Sequence, residues 1–225
     1  MLEEMFMATS EDKILKGNCY IENRKDGPCA VGFKDPYEAD FVIPDGVEWI
    51  GDWAFNRYYG METVVFPDSL DYIGKYAFCR CSSLRTVTLG KNINTMHDYV
   101  FSECHQLTEA DLSQSQIEIL PAGTFNECKK LHTIKLPKTI KKIEAHALYD
   151  TPNVISLELN EGLKVIEEMN LEGMKQLSII NLPSTVIHIP DLHGENHIKT
   201  VVLSRDQHDK FAEYLPKNAK IIYKD

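Results

Sequence analysis

Apolar residues recur along this chain at a fixed period. The block VIPDGVEWIGDWAF from Val42 returns as VFPDSLDYIGKYAF from Val65. Ile43-Pro44, Ile50-Gly51 and Ala54-Phe55 recur as Phe66-Pro67, Ile73-Gly74 and Ala77-Phe78, a step of 23 residues. The third copy runs from Leu84 through Val87, Leu89, Ile93, Met96, Val100-Phe101 and Cys104. The fourth runs from Leu107 through Ala110, Leu112, Ile117, Leu120, Phe125 and Cys128, with one residue inserted before Ile117. The fifth, sixth and seventh start at Leu131, Val154 and Leu177, and a partial eighth at Ile198.

The spacing dictates a coil. An L-x-x-V-x-L stretch puts its first, fourth and sixth residues on one side, as a short strand entered from a bend does. The proline that follows lacks a donor and ends the ladder. The Ile-Gly pair turns the chain. Ala-Phe-x-x-Cys reads as a short helical turn whose small Ala lets Phe plug the core. One such coil cannot bury its own apolar face, whereas stacked coils bury a continuous core and pair their strands in parallel.

The I-P-x-x-V-x-x-I-G-x-x-A-F-x-x-C register resembles the BspA-like class of bacterial leucine-rich repeats. The resemblance covers about Glu38 to the C-terminus and is sharpest through Cys128. Asn170 departs from it in place of Ala, and Thr151 and Met174 in place of Cys. It implies an α/β repeat fold, a right-handed solenoid of about eight coils. A parallel sheet would line the concave face and short helical turns the convex face. It also implies interaction or adhesion roles, often at a cell surface or in secreted proteins, with no catalytic activity.

A solenoid needs caps over its end coils. Residues 1–37 read as the N-terminal cap, with a hairpin from Ile14 to Phe33 around the turn-rich NRKDGP; residues 1–12 are expected to be a short helix or disordered. Residues 38–203 are the repeats. Residues 204–225 read as a C-terminal cap, in which Ser204 or Asp206 caps a short helix through Tyr214 and KIIY gives a last strand. This ending is expected to close the solenoid without a catalytic domain or wall anchor. Together the three parts make one continuous domain.

Composition narrows the partners. The chain has 225 residues, 43% hydrophobic and 26% charged, ordinary for a folded domain. A net charge of −10 disfavours nucleic acid and anionic lipid, because both repel an acidic surface. No apolar run is long enough to insert in a bilayer. The acidic start, MLEEMFMATSEDK, lacks a secretory pattern, so the default compartment is cytoplasmic, or exterior where a leader has been removed.

Candidate chemistry is thin. Cys81, Cys104 and Cys128 share one repeat position and read as a ladder of small buried hydrophobes rather than nucleophiles. His105 and His132, near them in sequence, are expected outside the coil. Cys19 and Cys29 flank the hairpin turn, where a disulfide is one option and free thiols the other. His188, His193 and His197 crowd one segment, but their spacing fits no metal motif. No metal, cofactor or catalytic residue is expected.

Two surfaces stand out. Trp49 and Tyr72 share one repeat position, and Trp53, Tyr76 and Tyr99 another, giving aromatic ladders that stabilise a wall or form a recognition stripe for protein or sugar. The outward strand positions are Thr63/Val65, Thr86/Thr88, Glu109/Asp111, Thr133/Lys135, Ser156/Glu158 and Ile179/Asn181. This polar face with a central acidic pair is the expected binding surface. The sequence therefore points to a non-enzymatic module for a protein partner. The alternatives are an exported adhesin for host or matrix protein or glycan and, further off, a metal- or cysteine-dependent enzyme. Partner identity and oligomeric state are not legible.

Overall fold

The computed structural model describes residues 13–35 and 37–224. The helix or disorder expected over residues 1–12 lies outside them. β1 (Lys13–Lys16), β2 (Cys19–Arg24) and β3 (Gly27–Phe33) form an antiparallel meander. Where the sequence suggests one hairpin, Gly17 at φ +59 adds a turn and splits off β1. Each later coil contributes a first and a second strand. These are β4 (Asp40–Val42) and β5 (Trp49–Ile50), β6 (Thr63–Val65) and β7 (Tyr72–Ile73), and β8 (Thr86–Thr88) and β9 (Thr95–Met96). Next come β10 (Glu109–Asp111) and β11 (Ile119–Leu120), then β12 (Thr133–Lys135) and β13 (Lys142–Ile143). The sixth coil adds only β14 (Val165–Ile166); β15 (Ile179–Asn181), β16 (Thr200–Leu203), helix α1 (Arg205–Phe211) and β17 (Lys220–Tyr223) complete the chain.

First strands stack in parallel from β4 through β6, β8 and β10 to β12, and second strands extend the cap from β3 through β5 and β7 to β9. The register is the sequence period made physical. Asp40 lies opposite Thr63, Thr63 opposite Thr86, Thr86 opposite Glu109, and Glu109 opposite Thr133. The second-strand ladder breaks between β9 and β11, where the fourth coil carries its inserted residue. There the Gln116 N–H, bonded to Ile93 O at 2.8 Å, bridges the coils.

The first-strand ladder also breaks, after β12. Ser156 and Glu158, expected on a strand, lie outside any strand. The side-chain amides of Asn153 and Asn160 reach back one coil to Lys129 O and Pro137 O, at 2.7 and 3.2 Å. These side-chain hooks add to the backbone pairing of β13 with β14, which still joins the sixth coil to the fifth.

The expected helical turns are not helices. Every turn carries two left-handed residues four apart. They are Trp53 and Arg57, Tyr76 and Arg80, Tyr99 and Glu103, Gly123 and Glu127, His146 and Asp150, and Met169 and Gly173. A left-handed residue cannot continue a right-handed helix. The freed N–H groups donate to the next coil instead. Trp53 N bonds Lys75 O at 2.9 Å, and Phe55 N and Arg57 N bond Ala77 O and Cys79 O, both at 2.8 Å. The pattern repeats at Tyr76, Phe78 and Arg80, so the turn is a third inter-coil ladder.

Phenylalanines fill the space behind it. Rings of Phe33, Phe55, Phe78, Phe101 and Phe125 follow one another at 4.1, 5.2, 5.5 and 5.8 Å, and Leu148 and Leu171 continue the buried column. Asn170, the sequence's oddest residue in that wall, is fully buried. Its Oδ1 accepts from Leu148 N at 3.2 Å, and its Nδ2 donates to Glu144 O and Glu167 O at 2.9 and 2.8 Å. A satisfied polar group can be buried where an orphan cannot. At the far end Ser204 caps α1 in a capping box with Gln207, whose amide reaches Pro183 O at 2.6 Å. The helix stops at Phe211 and a single 3₁₀ turn follows to Tyr214, where the sequence suggests one helix throughout.

Phe78 sits mid-column, so Phe78→Ala removes contacts to both neighbouring coils. Chemical denaturation should show a loss of about 3–5 kcal/mol, against less than about 0.5 kcal/mol for Thr86→Ala on the exposed face. Equal losses would mean that the ring column does not hold the coils together.

Candidate functional site

The two surfaces singled out in the sequence lie on different sides of the coil. On the strand face the middle residue of each strand is buried, Val64, Val87, Ala110 and Ile134 among them, and its two neighbours turn outward. Thr63, Thr86, Glu109 and Thr133 form one outward column; Thr88, Asp111 and Lys135 form the other, with Val65 at the same repeat position but outside the paired register. The expected acidic pair is not free. Lys135 Nζ lies 3.3 Å from Glu109 Oε1 and 2.9 Å from Asp111 Oδ2. Partial burial alone would raise the Asp111 carboxyl, but hydrogen bonds from Ser113 and Lys135 outweigh it and hold it below the usual range. The face is therefore polar and locally neutralised. Ser156 and Glu158 are exposed beside it but lie outside any strand, and Ile179 and Asn181 lie on β15.

The turn face carries one aromatic ladder, and the wall of second strands carries the other. Trp49 stacks on Tyr72 at 4.2 Å, and Trp53 on Tyr76 at 4.1 Å. Tyr99 stacks on Tyr76 at 5.0 Å with the rings 8° from parallel. The three rings of the second ladder all grow from the first left-handed position of their turns. Glycine fills that position in the next coil. Gly123, at φ +63, leaves the space that the Tyr99 ring occupies, and a Cβ there would stand 2.1 Å from it.

The second left-handed position gives a parallel column, Arg57, Arg80 and Glu103. Arg80 grips Glu103 with two bonds, at 3.0 and 2.8 Å. Between the columns lies a groove of about 590 Å³ whose floor is Asn56, Cys79, Ser102 and Asn126. The sequence reading missed this second wall and the floor. Their signal was the 23-residue step itself, which aligns Arg57, Arg80 and Glu103 as surely as the rings.

The other candidates disperse. Cys81, Cys104 and Cys128 are fully buried, and each thiol donates to the Phe carbonyl of the preceding coil: Phe55, Phe78 and Phe101, at 3.2, 3.2 and 3.1 Å. His105 and His132 are exposed. Cys19 and Cys29 are free thiols; strand register sets them opposite Phe33 and Glu22, not each other. His188 bridges to Val165, whereas His193 and His197 each meet their own nearby acid, Asp191 and Glu195. Among the described residues no group of three or more His, Cys, Asp or Glu side chains is placed to hold a metal ion. No helix among them is long and apolar enough to cross a membrane.

Two outcomes follow from this geometry. Gly123→Ala should cost about 1–2 kcal/mol for its left-handed backbone alone, and near-UV circular dichroism should report a displaced Tyr99 ring. An unchanged spectrum and melting curve would separate Gly123 from the ladder. The second outcome concerns the thiols. Burial pushes Cys19 up to about 12 and Cys29 and Cys79 up to about 11, from an ordinary 9.0. The neutral form is favoured in the folded state, so the stability these thiols contribute is intact below pH 9 and lost as pH rises toward 11–12. Thiol titration of the native protein at pH 8 should stay slow until denaturant is added. Fast native labelling of Cys29 or Cys79 would contradict it.

The fold has known counterparts. The family described as BspA type leucine rich repeat region matches this chain in six copies, over residues 33–121 and 113–218. No curated protein matches it. Among solved structures, a leucine-rich repeat protein from Eubacterium ventriosum superposes with a TM-score of 0.66 at 19% identity, covering 75% of this chain and 47% of its own. A leucine rich cell surface protein from Faecalibacterium prausnitzii gives 0.58 at 17% identity, with 88% and 72% covered. The T. pallidum leucine rich repeat protein gives 0.57 at 17% identity, with 85% of each chain covered. The six repeat matches span most of the residues that build the ladders, and this chain belongs to the BspA-type leucine-rich-repeat family.

Proposed function

We propose that this chain is a non-enzymatic interaction module that binds a protein partner on the solenoid surface, chiefly through the strand face. One observation carries the reading. Coil-on-coil register sets outward side chains of β6, β8, β10 and β12 in two columns, one from Thr63 to Thr133 and one from Thr88 to Lys135. Adjacent strands stand roughly 4.8 Å apart, so the columns make a flat surface of small hydroxyls and one internally paired charge cluster. Such a face offers hydrogen bonds and shape without strong charge, which suits a folded protein surface. Surface ion pairs like those of Lys135 contribute only about 0–1 kcal/mol to stability, so Glu109, Asp111 and Lys135 can exchange partners at small cost.

A second reading is adhesion at a cell surface. It is favoured by the description of the Faecalibacterium prausnitzii protein as a leucine rich cell surface protein. Labelling of intact cells with a non-permeant reagent separates it from an internal role.

The strand-face reading is tested by partner capture with the intact chain, with Glu109→Lys/Asp111→Lys, and with Thr86→Arg/Thr88→Arg. Each variant is checked first for an unchanged melting temperature. Both are expected to weaken a captured complex by about tenfold or more, the loss of one well-placed polar contact. Wild-type affinity in both variants would clear this face.

A further inference from the structure

The groove on the turn face is rich in donors and poor in acceptors. Trp53 Nε1, the Tyr76 and Tyr99 hydroxyls and the Arg57 guanidinium have no hydrogen-bond partner among the described residues, and all four side chains line the groove. Its carboxylate, Glu103, is already held by both bonds from Arg80. Its floor is satisfied locally: Asn56 Nδ2 donates to Cys79 O at 3.0 Å, and Asn126 Nδ2 to Ser102 Oγ at 3.2 Å.

Charge points the same way. Lys75, over the Tyr76 ring, is paired with Asp98 at 3.2 Å, and Arg80 with Glu103. Asp52, next to Trp53, turns its carboxylate to the Lys75 N–H at 2.7 Å and lines a separate small pocket with Arg24. Arg57 is left without an ion-pair partner among the described residues, and one coil step sets Arg80 beside it. A positive, donor-lined groove is unexpected in a chain of net charge −10.

Ring orientation selects among anions. Trp53, Tyr76 and Tyr99 stack on one another along the solenoid axis, so the faces between them are occupied and the groove runs along their edges. Ring edges carry the positive side of the quadrupole and attract carboxylate and carbonyl oxygens. Sugars stack on ring faces, which the ladder withholds. The groove spans three coil steps, from Asn56 to Asn126. At roughly 4.8 Å per step this is about 14 Å, the length of about four extended residues.

We propose that this groove docks an extended acidic peptide segment of a partner protein. A Glu or Asp carboxylate sits on Arg57, and backbone carbonyls accept from Trp53 Nε1, Tyr76 and Tyr99. The inference rests on the reading of the chain as a protein-binding module and adds a second face with its own ligand chemistry.

The chain has two tryptophans, so Trp49→Phe leaves Trp53 as the sole reporter in the groove. That variant is titrated with octaglutamate, octalysine and an oligoglucuronate of matching charge. Octaglutamate should shift Trp53 emission saturably and more weakly at high salt. Arg57→Gln should weaken binding about tenfold or more, as expected for loss of a charge-assisted bond, and Arg57→Lys should recover part of it. Melting curves confirm that both variants fold. No Trp53 response, an equal response to octalysine, or indifference to Arg57→Gln overturns the proposal. Oligoglucuronate binding in place of the peptide overturns the peptide occupant. The two readings fail separately. A partner whose capture ignores Arg57→Gln, with no octaglutamate response, removes the groove and leaves the interaction module standing. Octaglutamate binding that needs Arg57 supports the groove even where strand-face variants change nothing.

Discussion

Everything in this solenoid depends on one constraint: each coil must complete its backbone hydrogen bonds on its neighbours. The strands do so in the ordinary parallel way. The turn does it at a cost, because its N–H groups can point along the axis only if two residues per coil go left-handed. Ten of those residues are not glycine, and each costs about 1–2 kcal/mol. An inter-coil bond contributes roughly 0.5–1.5 kcal/mol, and the phenylalanine that the turn aims inward contributes about 1.5–3 kcal/mol on burial. The two left-handed residues are offset only when a neighbouring coil is present to accept the three bonds of each turn. Stacking tips the balance, since every interior coil gains on both of its sides.

The same constraint builds the turn-face groove. A left-handed residue throws its side chain outward, and two such positions four apart throw two parallel columns. Whatever occupies them becomes a wall. In the first three coils those residues are Trp53, Tyr76 and Tyr99 on one side and Arg57, Arg80 and Glu103 on the other. Farther along, Gly123 and Gly173 occupy two of the same positions. The ring wall therefore ends at Gly123, and the groove ends on Asn126.

Much of this was legible in the sequence. The 23-residue step yields the strand register, the Phe column and the buried Cys column directly, because all three are repeat positions filled by one residue type. The turn was misread as helical for a physical reason. Trp, Tyr, Arg and Glu have no preference for left-handed backbone, so only Gly123 and Gly173 hint at it, and each stands in a single coil. The neutralised strand face was half legible: Glu109, Asp111 and Lys135 were all recognised, but their closure into one cluster needs the adjacency of the fourth and fifth coils. The break at Ser156 and Glu158 was not legible, because Val154, Leu157 and Leu159 keep the apolar pattern across it.

Asn170 shows how far such a fold can stray from its pattern. Ala there would leave room for a backbone bond to the preceding coil; Asn instead accepts from Leu148 N with its own side chain and returns two donors to Glu144 O and Glu167 O. The coil stays in register while one inter-coil acceptor passes from backbone to side chain, and Asn153 and Asn160 add two further side-chain bonds to the coil before. The two candidate faces inherit opposite characters from this division. The turn-face groove is built on coils whose turn ladder is unbroken, so its rings are held in stacked order before any ligand arrives. A preordered site loses less freedom on binding. The strand face crosses from β12 into a sixth coil that has no first strand, so Ser156 and Glu158 stand outside its hydrogen-bonded ladder, and its affinity should come from area rather than from a fixed set of donors.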